Sequence, residues 1–374
     1  MKTAENSKQS RHYILNIKIM ETVNATQEHK LQLPLSEMVQ LPAAQYAHPG
    51  SETEWWWHIG TLVEKTTGRT FGFEINAGEL YGAGLIQVCL TDVKNNKHYQ
   101  TFKTLLPCPS GYAESNPTQP WFVKLESSEG GSTSTVHMTA PQTDPTNMNV
   151  KASFTAADGT KIAFDLSLNQ HGNPLLEWGT GYHLVYPHQT NPLQAYNFYY
   201  SLTHLAASGT ITLNDTSHTV SGTTWMDHEF GAFPKSTKWM LQDLQLNNGV
   251  SISSTVVTQA PFQNGVAVDG KATVLLADGT SIFINTNVTP SDPFEIDDYT
   301  YYQTFDVQVK SAEHGINGIF RVKTAVQNQI FKAPNDSIYE GIGTMESGTY
   351  NGDTVTGTVW IEQNVYPNLE IPKK

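Results

Sequence analysis

Two short segments of this chain concentrate side chains that exchange protons beside side chains that steady positive charge. The first, HPGSETEWWWHIG at residues 48–60, holds three consecutive tryptophans. In a strand alternate residues share a face. Glu52, Glu54, Trp56 and His58 would then line one side, and Thr53, Trp55 and Trp57 the other. Carboxylates, an indole and an imidazole on one face suit a pocket better than an apolar core, because buried carboxylates need partners. Trp55 and Trp57 read as packing residues. The second segment is GTTWMDHEFGAFP at residues 222–234. Alternation groups Trp225, Asp227 and Glu229, and sends Met226, His228 and Phe230 to the opposite face. Adjacent strand residues point apart, so Asp227 and His228 cannot readily chelate one ion, and no metal is expected. A weaker cluster joins Glu177 and His183 to Phe198, Tyr199 and Tyr200, with Trp239 as a further candidate. These residues either wall a pocket or serve as ordinary strand packing.

The elements that must carry these residues are strands. Short alternating runs bounded by Gly, Asn, Asp and Pro recur along the chain, and helical periodicity is nearly absent. FTAADGTKIAFDL at residues 154–166 and VLLADGTSIFI at residues 274–284 place the same Ala-Asp-Gly-Thr between apolar runs. Each reads as a hairpin. The repetition fits two similar β domains, or one common turn that arose twice. Many short strands in two comparable halves suggest barrels or sandwiches, and small barrels with open mouths hold apolar ligands. The expected organisation is an N-terminal arm at residues 1–37, a first domain at 38–231 and a second at 232–374. Met20 offers an alternative start.

The chain of 374 residues is long enough for two domains. Only 15% of it is charged, and 35 acidic residues outnumber 22 basic ones for a net charge of −13. That balance argues against nucleic acid and anionic membrane surfaces as partners. Aromatic content of 10% with eight tryptophans excludes a disordered chain. Cys89 and Cys108 are too few for a disulfide framework. No apolar run is long enough to span a bilayer, and no secretory signal is evident. A cytoplasmic location is expected, with the periplasm or secretion left open, as is the oligomeric state. There is no Gly-x-Ser-x-Gly elbow, His-Glu-x-x-His, phosphate loop or dinucleotide fingerprint.

HPGSETEWWW at residues 48–57, GRTFGFE at 68–74 and WMDHEFG at 225–231 together resemble the lipocalin-like family of carotenoid hydratases and AttH proteins. Kievitone hydratase and several fungal Diels–Alderases are related to that family. The resemblance spans residues 40–370. It implies an all-β fold of two tandem lipocalin-like (calycin) barrels, a hydrophobic small-molecule substrate and no cofactor. It also implies that Asp227 protonates an alkene, with Trp225 two positions before it. An upstream aromatic or histidine pair falls near Phe198 and Tyr200, where this sequence departs from the hydratase pattern.

The chemistry fits these residue types. A carboxyl in an aromatic pocket has its pKa raised by desolvation, and further by a second carboxylate such as Glu54 or Glu229. Indole and phenol faces stabilise the carbocation. Water steered by His58 or a carboxylate then adds, or an internal group closes a ring. Confinement alone would serve a pericyclic reaction. Asp227, Glu54 and His58 are thus the candidate catalytic residues. Trp56, Trp225, Glu229, Tyr200, Phe198, Tyr199, His183 and Trp239 are the candidate substrate contacts. A non-catalytic carrier of a hydrophobic compound is the main alternative. An aromatic platform with paired acids for a glycoside ranks below both.

Overall fold

The computed structural model describes residues 34–129, 132–234, 237–333 and 336–368. Residues 1–33 of the expected N-terminal arm lie outside these. Strands β1 (Thr53–Glu64), β2 (Thr70–Leu80), β3 (Ala83–Asp92), β4 (Lys97–Leu105), β5 (Trp121–Glu129), β6 (Ser132–Ala140), β7 (Asn147–Thr155) and β8 (Lys161–Gln170) begin the first sheet. The short β9 (Leu175–Leu176) and β10 (Tyr182–Leu184), then the long β11 (Tyr196–Leu213) and β12 (Thr216–Gly231), complete it. Its order is β4-β3-β2-β1-β12-β11-β8-β7-β6-β5, with β9 and β10 on β11. Every pairing is antiparallel. The two ends curl together, and Thr101 of β4 hydrogen-bonds Ser134 of β6 at 3.2 Å.

The second sheet contains β13 (Lys238–Leu246), β14 (Ser251–Thr258), β15 (Val268–Leu275), β16 (Ser281–Ile296), β17 (Tyr299–Ser311) and β18 (Ile316–Thr324). It ends with β19 (Ile330–Ala333), β20 (Asp336–Tyr350), β21 (Asp353–Thr354) and β22 (Gly357–Asn364). β20 pairs with β22 along its first half and with β18 along its second, which closes a barrel of eight strands. The fold is therefore two tandem β-barrels. No helix among the described residues is long and apolar enough to cross a membrane.

Both Ala-Asp-Gly-Thr segments form hairpin turns of the same build, one in each barrel. Asp158 and Asp278 each accept the backbone N–H two residues ahead, at 3.0 and 2.9 Å. Gly159 and Gly279 sit at φ of 84° and 87°, where a side chain would be strained. The turn has five connecting residues, closed by Ala156 N–H to Thr160 and Leu276 N–H to Thr280.

Large side chains fill both barrels. Trp56, Phe71, Phe73, Trp121 and Tyr200 are fully buried inside the first. Tyr301, Phe305, Phe320 and Tyr339 fill the second. The inward positions of these strands carry bulky residues that pack against one another across each barrel. The outward faces meet each other. Ile59, Cys89, Leu175 and Trp225 pack against Leu275, Phe331, Ile342 and Trp360 to form an apolar seam between the barrels. Cys89 and Cys108 are free thiols. Gly72 of β2 permits this approach, since a Cβ there would stand 2.4 Å from Ile342 Cγ2. Hydrogen bonds cross the seam from Gln245 Nε2 to the carbonyls of Thr203 and Thr224, at 2.6 and 3.1 Å.

Candidate functional site

Seven acidic residues lie in or beside this seam, each less than a tenth exposed: Glu74, Glu177, Asp227, Glu229, Asp243, Glu340 and Glu362. The alternation of β12 puts Trp225, Asp227 and Glu229 on its outward face. From the second barrel, β13 contributes Asp243, β20 contributes Glu340 and β22 contributes Glu362. Asp227, Asp243 and Glu362 offer carboxyl oxygens within 4.8 Å of one another.

Indoles and hydroxyls hold several of these groups. Trp225 Nε1 and Ser201 Oγ each donate to Asp227 Oδ1 at 2.6 Å. Trp239 Nε1 donates to Glu362 at 3.1 Å, and Trp360 Nε1 to Glu340 at 3.2 Å. Asn197 Nδ2 donates to Glu229 at 2.5 Å, and Thr273 Oγ1 to Glu177 at 2.7 Å. Neither oxygen of Glu74 or Asp243 has a well-formed hydrogen bond.

Burial disfavours the charged form, and the remaining carboxyls add repulsion. Glu362 is pushed up to about 8 by burial and by Asp227. Glu229 reaches about 8 through burial, against the Asn197 hydrogen bond, and Glu177 reaches about 7 the same way against Thr273. Glu74, Asp243 and Glu340 lie well above the usual carboxylate range, again through burial first. Asp227 is also raised by burial, but hydrogen bonds from Ser201, Trp225 and Tyr199 pull it back to about 6. It has the lowest pKa of the seven.

The residues singled out from sequence divide between two faces of one sheet. Trp225, Asp227 and Glu229 face the seam, where Tyr199 and Trp239 join them. His183 is exposed at the rim, 5.5 Å from the Trp178 ring. Glu54, Trp56, His58, Phe198 and Tyr200 face inward. The register aligns Trp57, not Glu54, with Asp227 and pairs Glu54 with Phe230. Grouping Glu54 and His58 around Asp227 is therefore corrected: a period of two sends them to the other side of the sheet. Burial pushes His58 down to about 3, and neither of its ring nitrogens has a well-formed hydrogen bond. Trp56 donates from Nε1 to the Gln45 carbonyl at 3.1 Å and packs in the core. The upstream pair beside Asp227 is Tyr199 and Ser201 rather than Phe198 and Tyr200.

Sequence reasoning missed Glu74, Asp243, Glu340, Glu362 and Ser201. One signal was present. Trp360-Ile361-Glu362 repeats the spacing of Trp225-Met226-Asp227, in the opposite barrel.

The inward face forms a separate cluster at the first barrel's mouth. A cavity of about 230 Å³ opens there, lined by residues that include His48, Glu54, Glu79 and Tyr112. Beside the seam acids, a crevice of about 10 Å³ is bordered by Trp225, Asp243 and Trp360. It is close to the space one water needs.

Two solved structures are similar over most of their length. An AttH protein from Nitrosomonas europaea superposes with a TM-score of 0.64 at 17% identity, covering 88% of this chain and 97% of that one. Kievitone hydratase from Nectria haematococca gives 0.66 at 16% identity, covering 89% and 95%. At these identities the likeness concerns the fold. No curated protein sequence matches the chain. The AttH-like family model matches residues 81–363, which takes in most of both barrels and the WMDHEFG segment, and the chain therefore belongs to the AttH-like family.

Proposed function

We propose that this protein is an enzyme that uses a buried carboxylic acid, without a cofactor, to protonate a hydrophobic alkene. The carbocation is then hydrated, isomerised or cyclised. The observation that carries this reading is the Asp227 carboxyl. It is the strongest acid of a buried cluster, brought near neutrality by burial and moderated by Ser201, Trp225 and Tyr199. A general acid works best with a pKa close to the working pH. Glu362 and Asp243, both weaker acids within reach, can return a proton to it. The Trp225 indole holds Asp227 through its N–H edge, and its π face, turned away from that bond, is the surface that would stabilise a carbocation. The water-sized crevice fits the co-substrate of a hydration. A relative of the same fold is named a hydratase, which agrees.

The substrate class we favour is isoprenoid- or polyketide-like, since the seam, once opened, would present aliphatic side chains and indoles to it. Incubation of the protein with a panel of such alkenes in heavy water tests the proposal. Deuterium should enter the product at the protonated carbon, and Asp227→Asn should lower turnover by about 10²–10⁴-fold while ligand binding persists. Full turnover in that variant would overturn the assignment. The carrier alternative predicts a ligand recovered unchanged after long incubation.

A further inference from the structure

The mouth of the first barrel gathers groups that the acid chemistry does not use. His48 Nδ1 lies 2.8 Å and His228 Nε2 3.1 Å from the same oxygen, Glu54 Oε1. The three residues each offer one donor atom, all within 4.8 Å of one another. Each is fixed from behind. The His48 ring stacks on Phe230 at 3.6 Å, with the planes 1° apart. Both Glu54 oxygens accept from the His48 backbone N–H, at 2.9 and 3.1 Å. The His228 ring is stacked on Trp56 at 4.5 Å and meets Tyr200 edge-on at 5.3 Å.

Counting protons exposes a mismatch at the centre. Gln45 directs Nε2 at the sulfurs of Met148 and Met226, at 3.5 and 3.8 Å, and a thioether can accept but not donate. Its Oε1 therefore faces Tyr200. A phenol has one proton, and Tyr200 directs it to two acceptors, Gln45 Oε1 at 2.6 Å and the Ala44 carbonyl at 3.3 Å. The Tyr200 oxygen then accepts from His228 Nδ1–H at 3.1 Å. A neutral imidazole carries only one N–H, so Nε2 turns a lone pair toward the carboxylate oxygen. With His228 neutral, as a metal ligand must be, two acceptors face each other in a buried site, and a shared cation satisfies both where a second proton on the ring would otherwise be needed.

We propose that His48, Glu54 and His228 bind one divalent first-row transition ion of the zinc class, with its open coordination directed to the cavity at the barrel mouth. Two imidazoles and a carboxylate are a ligand set for such ions. Ligands on a tetrahedral ion stand about 3.4 Å apart for bonds of about 2.0–2.1 Å, so the ring nitrogens need retreat by only about 0.3–0.6 Å. Tyr200 supplies the outer hydrogen bond that sets the His228 tautomer. The cavity supplies an entry path and room for a water or ligand oxygen. This site lies on the opposite sheet face from Asp227, so it stands or falls independently of the acid mechanism.

The test uses the full chain stripped with a chelator. Zn²⁺ is titrated calorimetrically, and Co²⁺ is followed by visible absorption. One ion per chain with micromolar or tighter affinity is expected, weakened at least tenfold in His48→Ala and in Glu54→Gln. Nitrogen NMR of the stripped wild-type protein needs no variant to fold. It should show a proton on His228 Nδ1 alone, and Zn²⁺ should shift the Nε2 signal. No stoichiometric binding, an affinity unchanged by His48→Ala, or protons on both His228 nitrogens would each overturn the proposal. The last result would make the cluster a closed ion pair.

Discussion

Asp227 differs from its acidic neighbours in what donates to it, and that difference can be moved by single substitutions. Hydrogen bonds to a carboxylate favour its charged form. Removing the Ser201 hydroxyl takes one donor away and should raise the Asp227 pKa above its value of about 6. The acid must be protonated to act, so turnover should fall as pH rises through that value. In Ser201→Ala the falling limb should move to higher pH, while Glu229→Gln should leave it in place, because Glu229 titrates higher, at about 8, and is uncharged where Asp227 titrates. Profiles of kcat/KM against pH for the three proteins check both outcomes. A limb unmoved in Ser201→Ala would place the titrating group elsewhere.

At the scale of the strand, periodicity was legible and pairing was not. The grouping of Trp225, Asp227 and Glu229 follows from alternation within β12, and so does the division of β1 between Glu54, Trp56 and His58 on one side and Trp57 on the other. Which face of β1 lies beside which face of β12 depends on register between residues some 170 apart in sequence, and no local pattern encodes it. The same long-range pairing brings His228 to Glu54. Asp243, Glu340 and Glu362 lie on three separate strands, are gathered by pairing within the second sheet, and reach Asp227 only when the barrels dock. Docking in turn depends on β2 presenting no side chain at Gly72. Gly72→Val should cost about 1–3 kcal/mol by overpacking against Ile342. Ile342→Ala added to it should recover part of that loss, in a double-mutant cycle of urea denaturation. Additive losses would mean that the two positions do not set the approach.

For the whole molecule, the buried acids fix how stability answers to pH. Glu177, Glu229 and Glu362 titrate near 7 to 8 in the folded chain, against about 4 in an unfolded one. Between those limits the folded state holds protons that the unfolded state has released, so stability falls as pH rises. His58 and His98, both driven down to about 3 by burial, act in the opposite sense, but only below about 6.5. From pH 6.5 to 8.5 the carboxyls therefore act without that opposition, and each proton of difference costs about 1.4 kcal/mol per pH unit. Melting temperatures measured at pH 6.5, 7.5 and 8.5 should decrease in that order. A flat or rising series would contradict the buried, protonated state of the seam.

The packed interiors carry a kinetic consequence. If ligands react at Asp227, they meet it only after the barrels part along the seam that Trp225 and Trp360 border. Association would then be gated by the protein's own opening rate. In stopped-flow experiments the observed rate should stop increasing with ligand concentration once capture outpaces opening. The apparent affinity should also be weaker than that of the open form, by the fraction of time the molecule spends open.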